Sequence, residues 1–223
     1  MMKPIRILAL LGLLLSLTQA APGQSDSASQ PPKKLNERPA ALTKTAEPFD
    51  GASVEKMASR CVLLETEAGA IELEMLPEAA PESVRNFLNL VSIGAFDTTS
   101  FSRVVRDFVV QGGSFTTRAT LTQELAARMA RKIPDEPNYV KHVRGIVSMA
   151  RPDEPHSASS HFFILVGDAP HLDGKFAAFA RVLRGMDVAD AINRAPTDGD
   201  KPDKPVRIKR AVVASCTKPE NKN

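Results

Sequence analysis

One stretch decides how this chain folds, and it reads Phe101-Ser-Arg103-Val-Val-Arg-Asp-Phe108-Val-Val-Gln111-Gly-Gly-Ser-Phe115. Its apolar residues form two short strand-like runs, at 101–105 and 108–111. Arg103 and Gln111 are polar residues inside this otherwise apolar pair. The glycines at 112 and 113 predict a turn or a close backbone approach. The stretch therefore predicts a strand pair that carries an isolated guanidinium and an isolated amide.

Short strands and short helices follow one another along the rest of the folded part. Apolar and acidic side chains alternate over Ala70–Leu76, which predicts a half-buried strand. Between Pro81 and Gly94 the apolar residues recur at helical spacing, which predicts an amphipathic helix. Further strands are predicted at 145–150, 162–166, 176–183 and 206–215. This pattern favours a mainly β fold, an antiparallel barrel capped by two or three helices.

Two more short helices complete the predicted pattern. Thr120 and Gln123 have capping-box spacing, and a stripe of Leu121, Leu125 and Met129 predicts a helix that ends before Pro134. The last helix is predicted after Gly185, with Val188 and Ile192 facing inward.

Composition describes a chain that buries a core. The 223 residues are 43% hydrophobic and 25% charged, which is ordinary for a single globular domain with an extended tail. The net charge is only +3, so we expect no nucleic-acid partner, because phosphate binding needs a clustered positive surface. With no Trp, one Tyr and ten Phe, any aromatic pocket should be lined by Phe.

The N-terminal residues 1–20 have the pattern of a cleaved secretory signal. Lys3 and Arg6 precede an apolar stretch, and small residues follow it up to Ala20. The stretch is too short to span a bilayer comfortably, so we expect no stable membrane insertion after cleavage. An uncleaved anchor and a buried first helix are the alternatives.

Residues 21–58 differ in composition from the remainder of the chain. They are rich in Ala, Ser, Pro, Gln and Lys and poor in large apolar residues, so we predict a flexible linker. A specific docking arm is the alternative. The folded domain is predicted at 59–218, with a short polar tail at 219–223.

Several chemistries are unlikely from the motifs. The four histidines have no zinc-motif spacing and no neighbouring Cys, so we expect no metal site. Serines crowd His156 and His161, but the strained turn of a serine nucleophile is missing. Gly112-Gly113 is not a phosphate-binding glycine pattern. We therefore expect no cofactor.

Four segments in order carry a family resemblance. The first is 101–115; the others are Gly145-Ile-Val-Ser-Met-Ala-Arg151, Ser157-Ala-Ser-Ser-His-Phe-Phe-Ile164 and His171-Leu-Asp-Gly-Lys-Phe176. Together they resemble the signature stretches of cyclophilin-type peptidyl-prolyl cis-trans isomerases, most closely the exported bacterial members. The resemblance spans about Cys61 to Cys216, and it implies a closed eight-stranded antiparallel barrel.

The resemblance also implies a role for each matching residue. Arg103 would stabilise the twisted Xaa-Pro amide, and Gln111 would orient the substrate backbone. The implied catalytic residues are Arg103, Phe108, Gln111 and Phe163. The implied substrate-binding residues are Val109, Met149, Ala150, Arg151, His161, Leu172 and Phe176. On composition alone, Arg103 would be a surface ion-pair partner and the apolar residues ordinary core.

Three positions depart from the usual family pattern. His161 stands where many members carry Gln, His171 where they often carry Trp or Phe, and Phe176 where they often carry His or Tyr. An imidazole at His161 predicts pH-dependent binding with an apparent pKa near the ordinary value of about 6.5.

The two cysteines, Cys61 and Cys216, begin the first strand and end the last strand of the predicted domain. In the barrel that the resemblance implies, those strands are antiparallel neighbours. In an oxidising compartment the two thiols would form a disulfide. Two unrelated free cysteines are the alternative.

These observations predict a monomeric peptidyl-prolyl isomerase that acts on proline-containing polypeptides. Its location would be periplasmic or otherwise extracytoplasmic, where it would assist the folding of exported proteins. A proline-peptide-binding chaperone module with little turnover is the alternative function.

Overall fold

The computed structural model describes residues 46–216. The helices are α1 (Val54–Ala58), α2 (Pro81–Ser92), α3 (Gln123–Met129) and α4 (Met186–Asn193). The strands are β1 (Arg60–Thr66), β2 (Gly69–Met75), β3 (Arg103–Val105), β4 (Val109–Gly112), β5 (Ile146–Met149), β6 (Phe162–Leu165), β7 (Ala178–Arg184), β8 (Thr197–Asp198), β9 (Lys201–Pro202) and β10 (Ile208–Ser215). The predicted signal segment 1–20, most of the predicted linker and the tail 219–223 lie outside the described residues.

Eight of these strands form one curled antiparallel sheet. Its order is β10-β1-β2-β7-β5-β6-β4-β3, and β8 and β9 form a separate hairpin. The sheet's two edges meet at a single bridge between Ser100 and Arg207. The mainly β fold with eight strands and capping helices is confirmed, but full closure was overstated, since the two edges are joined only by that bridge and the few backbone hydrogen bonds beside it.

Side-chain alternation gives the sheet two apolar faces. Phe162 and Ile164 point into the main core, which α2 covers. Phe163 and Leu165, one residue out of phase, belong to a second apolar cluster on the opposite face. Phe87 of α2 packs against three core rings, with centroids 4.9 to 5.3 Å away. The main core therefore supports the sheet from inside, while the second cluster faces outward.

The helices agree with the sequence pattern except at one end. The predicted stripe of α2 is buried, and so is Ile192 of α4, whereas Val188 is only partly buried against the core. The predicted cap of α3 is wrong. Thr122, not Thr120, accepts the capping hydrogen bond from the Leu125 N–H, and Leu121 lies outside the helix with 40% of its surface exposed. Both threonines suit a cap by residue type, and the structure uses the later one.

The folded part begins earlier than predicted. Phe49 and Met57 are buried in the core, and α1 lies before residue 59. Asn89 of α2 accepts a hydrogen bond from the Phe49 N–H at 2.8 Å. The predicted linker is therefore wrong for residues 46–58, because two large apolar side chains suffice to pack this short segment onto α2.

Glu47 fastens the start of this segment to α3. Its carboxylate pairs with Arg128 and Arg131, and the Glu47 and Arg128 side chains are each only 11% exposed. Burial by itself raises the pKa of Glu47, but the hydrogen bond and charge of Arg128, with the charge of Arg131, outweigh it and lower the pKa. The two arginines therefore favour the ionised form of the Glu47 carboxylate, although folding removes most of that carboxylate from bulk water.

The two cysteines form a disulfide, as the resemblance implied. β1 and β10 are antiparallel neighbours, with Cys61 opposite Ala214. The Cα atoms of Cys61 and Cys216 are 4.8 Å apart, and the bridge spans a sequence separation of 155.

No helix within residues 46–216 has the length and apolar character needed to cross a bilayer.

Reducing the disulfide should lower the thermal midpoint of unfolding. The chain-entropy model gives an upper limit of about 5 kcal/mol for a loop of this length. Calorimetry with and without reductant measures the change, and the Cys61→Ser/Cys216→Ser double variant is the control. Two free thiols in the denatured, unreduced protein would contradict the bridge.

Glu47→Gln should destabilise the domain by about 1–3 kcal/mol, because it leaves Arg128 without its charged partner in a mostly buried place. Folding lowers the pKa of Glu47, so its ionised carboxylate stabilises the fold at any pH above the pKa it has in the unfolded chain. This stabilisation is lost as the pH falls through the pKa it has in the folded protein. Urea unfolding at neutral and acid pH measures both effects. The exposed Glu78→Gln is the control, and an equal loss there would contradict the role of Glu47.

Candidate active site

An apolar cavity opens on the outward face of the sheet. Its volume is about 170 Å³. The residues that line it come from β3, β4, the turn between them, β6 and the loops after β5 and β6. They are Arg103, Phe108, Val109, Gln111, Ala150, Arg151, Phe163, Leu172 and Phe176. All nine are among the residues that the sequence predicted for a substrate groove.

Strand register brings the three central side chains into one row. Gln111 on β4 lies opposite Arg103 on β3 and opposite Phe163 on β6. Directly opposed residues in antiparallel strands have Cβ atoms about 4.5–5.5 Å apart. The row thus passes from a guanidinium through an amide to an apolar ring across three neighbouring strands.

Aromatic and aliphatic side chains form the floor and walls. Val109, Phe163 and Leu172 are buried. Phe176 packs edge-on against Phe163, with centroids 6.0 Å apart, and Phe108 packs against the His171 ring at 5.6 Å. His171 therefore supports a wall of the cavity without lining it. The cavity is a mainly hydrophobic slot, and its polar lining residues are Arg103, Gln111 and Arg151.

Arg103 is held by contacts on two sides of its guanidinium. Its Nε and Nη2 atoms lie 3.0 and 2.9 Å from Oδ2 of Asp200. Its Nη1 atom lies 3.5 Å from Oε1 of Gln111, at the outer limit for a hydrogen bond. The guanidinium is thus held on its Nε–Nη2 edge, while Nη1, on the side of the cavity residue Gln111, makes only this long contact within the described residues.

A buried histidine anchors the loop that carries Leu172. The backbone N–H of His142 donates to Oδ1 of Asp173 at 2.8 Å. The ring atom Nε2 lies 2.9 Å from Oγ of Ser148, and Nδ1 lies 3.3 Å from Oδ1 of Asp173. Burial lowers the pKa of His142, although Asp173 opposes the shift. Ser148 is fully buried and out of a substrate's reach. This serine, histidine and aspartate therefore position a wall and do not form a hydrolytic site.

Met149 does not lie where the sequence predicted. Its side chain is buried in the main core, and it lines only a smaller depression beside Arg151. Val147 and Met149 point inward along β5, while Ile146 and Ala150 belong to the outward cluster. Alternation along the strand thus excludes Met149 from the apolar cavity.

His161 lines a second, more open depression that continues from the cavity. Arg103, Gln111, Ala150 and Arg151 line both spaces. Gly113 fixes the loop before His161, because a Cβ there would lie 2.2 Å from the Ser160 carbonyl oxygen. The predicted close approach of Gly112-Gly113 is therefore confirmed.

The electrostatic state of His161 differs from expectation. Burial lowers its pKa, so its titration lies below the value near 6.5 that the sequence predicted. Within residues 46–216 no hydrogen bond to its ring is present. The imidazole is therefore neutral at pH 7 and open to a ligand in the depression.

Sequence reasoning missed two features of this site. Asp200 lies 97 residues from Arg103, and only the β8–β9 hairpin brings it near. The contacts of His142 with Ser148 and Asp173 were missed because isolated polar residues carry no periodic signal. The sequence Asp198-Gly199-Asp200 did contain a turn signal, but that signal does not reveal the partner.

Comparison with known families agrees with this geometry. The family model for cyclophilin type peptidyl-prolyl cis-trans isomerase/CLD matches residues 61–213. The chain belongs to the cyclophilin family of peptidyl-prolyl cis-trans isomerases. The resemblance inferred from the four segments is thereby confirmed.

Individual relatives of this cyclophilin come from bacteria and plants. Peptidyl-prolyl cis-trans isomerase A of Dickeya dadantii is 39% identical over 160 residues, 70% of this chain and 82% of that protein. Peptidyl-prolyl cis-trans isomerase CYP23 of Arabidopsis thaliana is 37% identical over 144 residues, 64% of each chain.

A solved structure shares the fold of this cyclophilin. It is a Cryptosporidium parvum cyclophilin type peptidyl-prolyl cis-trans isomerase, determined in the presence of the dipeptide Ala-Pro. The TM-score is 0.61 at 27% identity, covering 70% of this chain and 99% of that one.

The lowered pKa of His161 predicts an acid-side loss of activity. Above pH 7 the ring stays neutral and kcat/KM should be level. As pH falls through this lowered pKa, protonation would place a poorly hydrated cation in the depression that Arg103 and Arg151 also line, and kcat/KM should decline. Isomerase assays on wild type and His161→Gln, which should have a flatter profile, measure this.

The exposed His156→Gln is the matched control and should keep the wild-type profile. His142 titrates in all three proteins, so it cannot cause a difference between them. Superimposable profiles for wild type and His161→Gln would show that the imidazole does not contact substrate.

Proposed function

We propose that this cavity binds the proline ring of a polypeptide and that Arg103 promotes rotation about the preceding peptide bond. One observation carries the proposal. The guanidinium of Arg103, whose Nη1 atom makes only one long contact, lines a mainly apolar cavity of about 170 Å³. The cavity suits a pyrrolidine ring, and the guanidinium suits the amide that precedes it.

Catalysis of this reaction depends on how the enzyme positions the peptide, and it does not need groups that react with the peptide. Rotation breaks the amide resonance, with a barrier of about 18–20 kcal/mol, and the uncatalysed exchange takes tens to hundreds of seconds. No covalent bond is broken, so neither a nucleophile nor a cofactor takes part. An enzyme accelerates the rotation by binding the twisted amide more tightly than the planar one.

The residues of the cavity divide this task. In the twisted state the amide nitrogen becomes pyramidal and accepts a hydrogen bond, which Arg103 donates. Gln111 orients the substrate backbone, and Phe108, Val109, Phe163, Leu172 and Phe176 hold the ring. Backbone groups near Ala150 and Arg151 pair with the residue before proline. The relative studied with Ala-Pro supports proline peptides as the ligand class.

Substrates of this enzyme are proposed to be exported polypeptides. The disulfide between Cys61 and Cys216 suits an oxidising compartment, and the predicted signal at 1–20 suits export. The protein would assist folding there. We also propose that it acts as a monomer, without nucleic-acid or membrane partners.

Arg103→Ala should lower kcat/KM by a factor of about 10²–10³, as for loss of one electrostatic donor to a transition state. The thermal midpoint should stay close to that of wild type, because the side chain is 44% exposed. A proline-peptide isomerisation assay on the full mature chain measures the rate.

Arg106→Ala is the matched control, because it removes an exposed arginine three residues away that lies outside the cavity. It should keep wild-type turnover. Turnover that is equal in Arg103→Ala and wild type would refute the role assigned to Arg103.

A further inference from the structure

We infer that Asp200, in the turn of the β8–β9 hairpin, is a positioning residue that aims the guanidinium of Arg103 at the substrate amide. The inference rests on the proposed role of Arg103. The observation behind it is that one oxygen of Asp200 occupies the Nε–Nη2 edge of Arg103, which leaves the Nη1 side to the cavity.

The hairpin is built to deliver this carboxylate. Thr197 pairs with Pro202 and Asp198 with Lys201, so the turn consists of Gly199 and Asp200. Gly199 has a φ of +57°, a conformation that glycine adopts without steric cost. The turn therefore has a defined shape, and Asp200 sits at its tip.

The same residue fixes the hairpin to β3. The Val104 N–H donates to the Asp200 carbonyl oxygen at 2.8 Å. Val104 is the neighbour of Arg103 on an edge strand of the sheet. Asp200 thus binds β3 at two successive residues, through its backbone at Val104 and through its side chain at Arg103, so the carboxylate cannot drift relative to the strand.

Stability does not explain the ion pair. The Arg103 and Asp200 side chains are 44% and 53% exposed, and pairs in such surroundings contribute little to folding. Without Asp200, the remaining described contact of the guanidinium is the 3.5 Å approach to Gln111, which is too long to fix it. Arg103 would then spread over several rotamers.

The geometry allows the orienting hydrogen bonds of Asp200 to be tested apart from its negative charge. Both contacts converge on the single oxygen Oδ2. The amide oxygen of an asparagine can accept from the same two N–H groups, whereas an alanine cannot. Asp200→Asn therefore removes the negative charge and keeps the acceptor, while Asp200→Ala removes both.

The test measures kcat and KM for proline-peptide isomerisation on the full mature chain. Asp200→Ala should lower kcat by about threefold to tenfold, because the freed side chain divides its time among several rotamers, with KM nearly unchanged. Asp200→Asn should retain nearly wild-type kcat. Asp198→Ala, which removes an exposed carboxylate from the same hairpin, should behave as wild type.

A double variant tests whether Asp200 acts through Arg103. Arg103→Ala/Asp200→Ala should be no slower than Arg103→Ala, because there is then no guanidinium to aim. A double variant clearly slower than Arg103→Ala would mean that Asp200 supports the fold instead, and would overturn the inference. So would wild-type kcat in Asp200→Ala, or an Asp200→Asn variant as slow as Asp200→Ala.

The two proposals fail in different ways. Wild-type activity in Arg103→Ala would refute the proposed function and this inference with it. A slow Arg103→Ala together with a fully active Asp200→Ala would refute only the role of Asp200.

Discussion

The register of β4 between β3 and β6 is the constraint on which the site depends. It places Gln111 opposite Arg103 on one side and opposite Phe163 on the other. A slip of one residue would turn Val110 outward and Gln111 into the apolar interior. Val110 is fully buried in the main core. Because its burial fixes the register of β4, it also fixes which side chains lie next to one another on the outer face of the sheet.

The site combines a rigid floor with walls on anchored loops. Arg103, Val109, Gln111 and Phe163 stand on strands that the core supports. Leu172 and Phe176 stand on a loop that His142 fastens through Asp173 and Ser148. Catalysis of a rotation depends on placing a ring and an amide to within fractions of an ångström. A sheet surface with hydrogen-bonded walls provides such placement.

The sequence predicts those site residues that belong to a local motif or a strand pattern. It does not predict contacts between segments that are far apart in the chain. The motif of residues 101–115 identified Arg103, Phe108 and Gln111, and alternation identified most strands. Met149 was misplaced because a family motif does not reveal which face of a strand a residue takes. Asp200 and the early start at Phe49 were missed because their partners lie 97 and 40 residues away. The lowered pKa of His161 depends on burial, which no sequence pattern states.

The disulfide between the first and last strands makes the barrel topologically a ring. Any single cut of the backbone between Cys61 and Cys216 leaves both pieces joined by a covalent bond. Tension applied to the chain on either side of the two cysteines would pass through the sulfur atoms and would not peel β10 from β1. A single nick between the two cysteines, or tension applied outside them, thus leaves the segments that form the groove covalently joined.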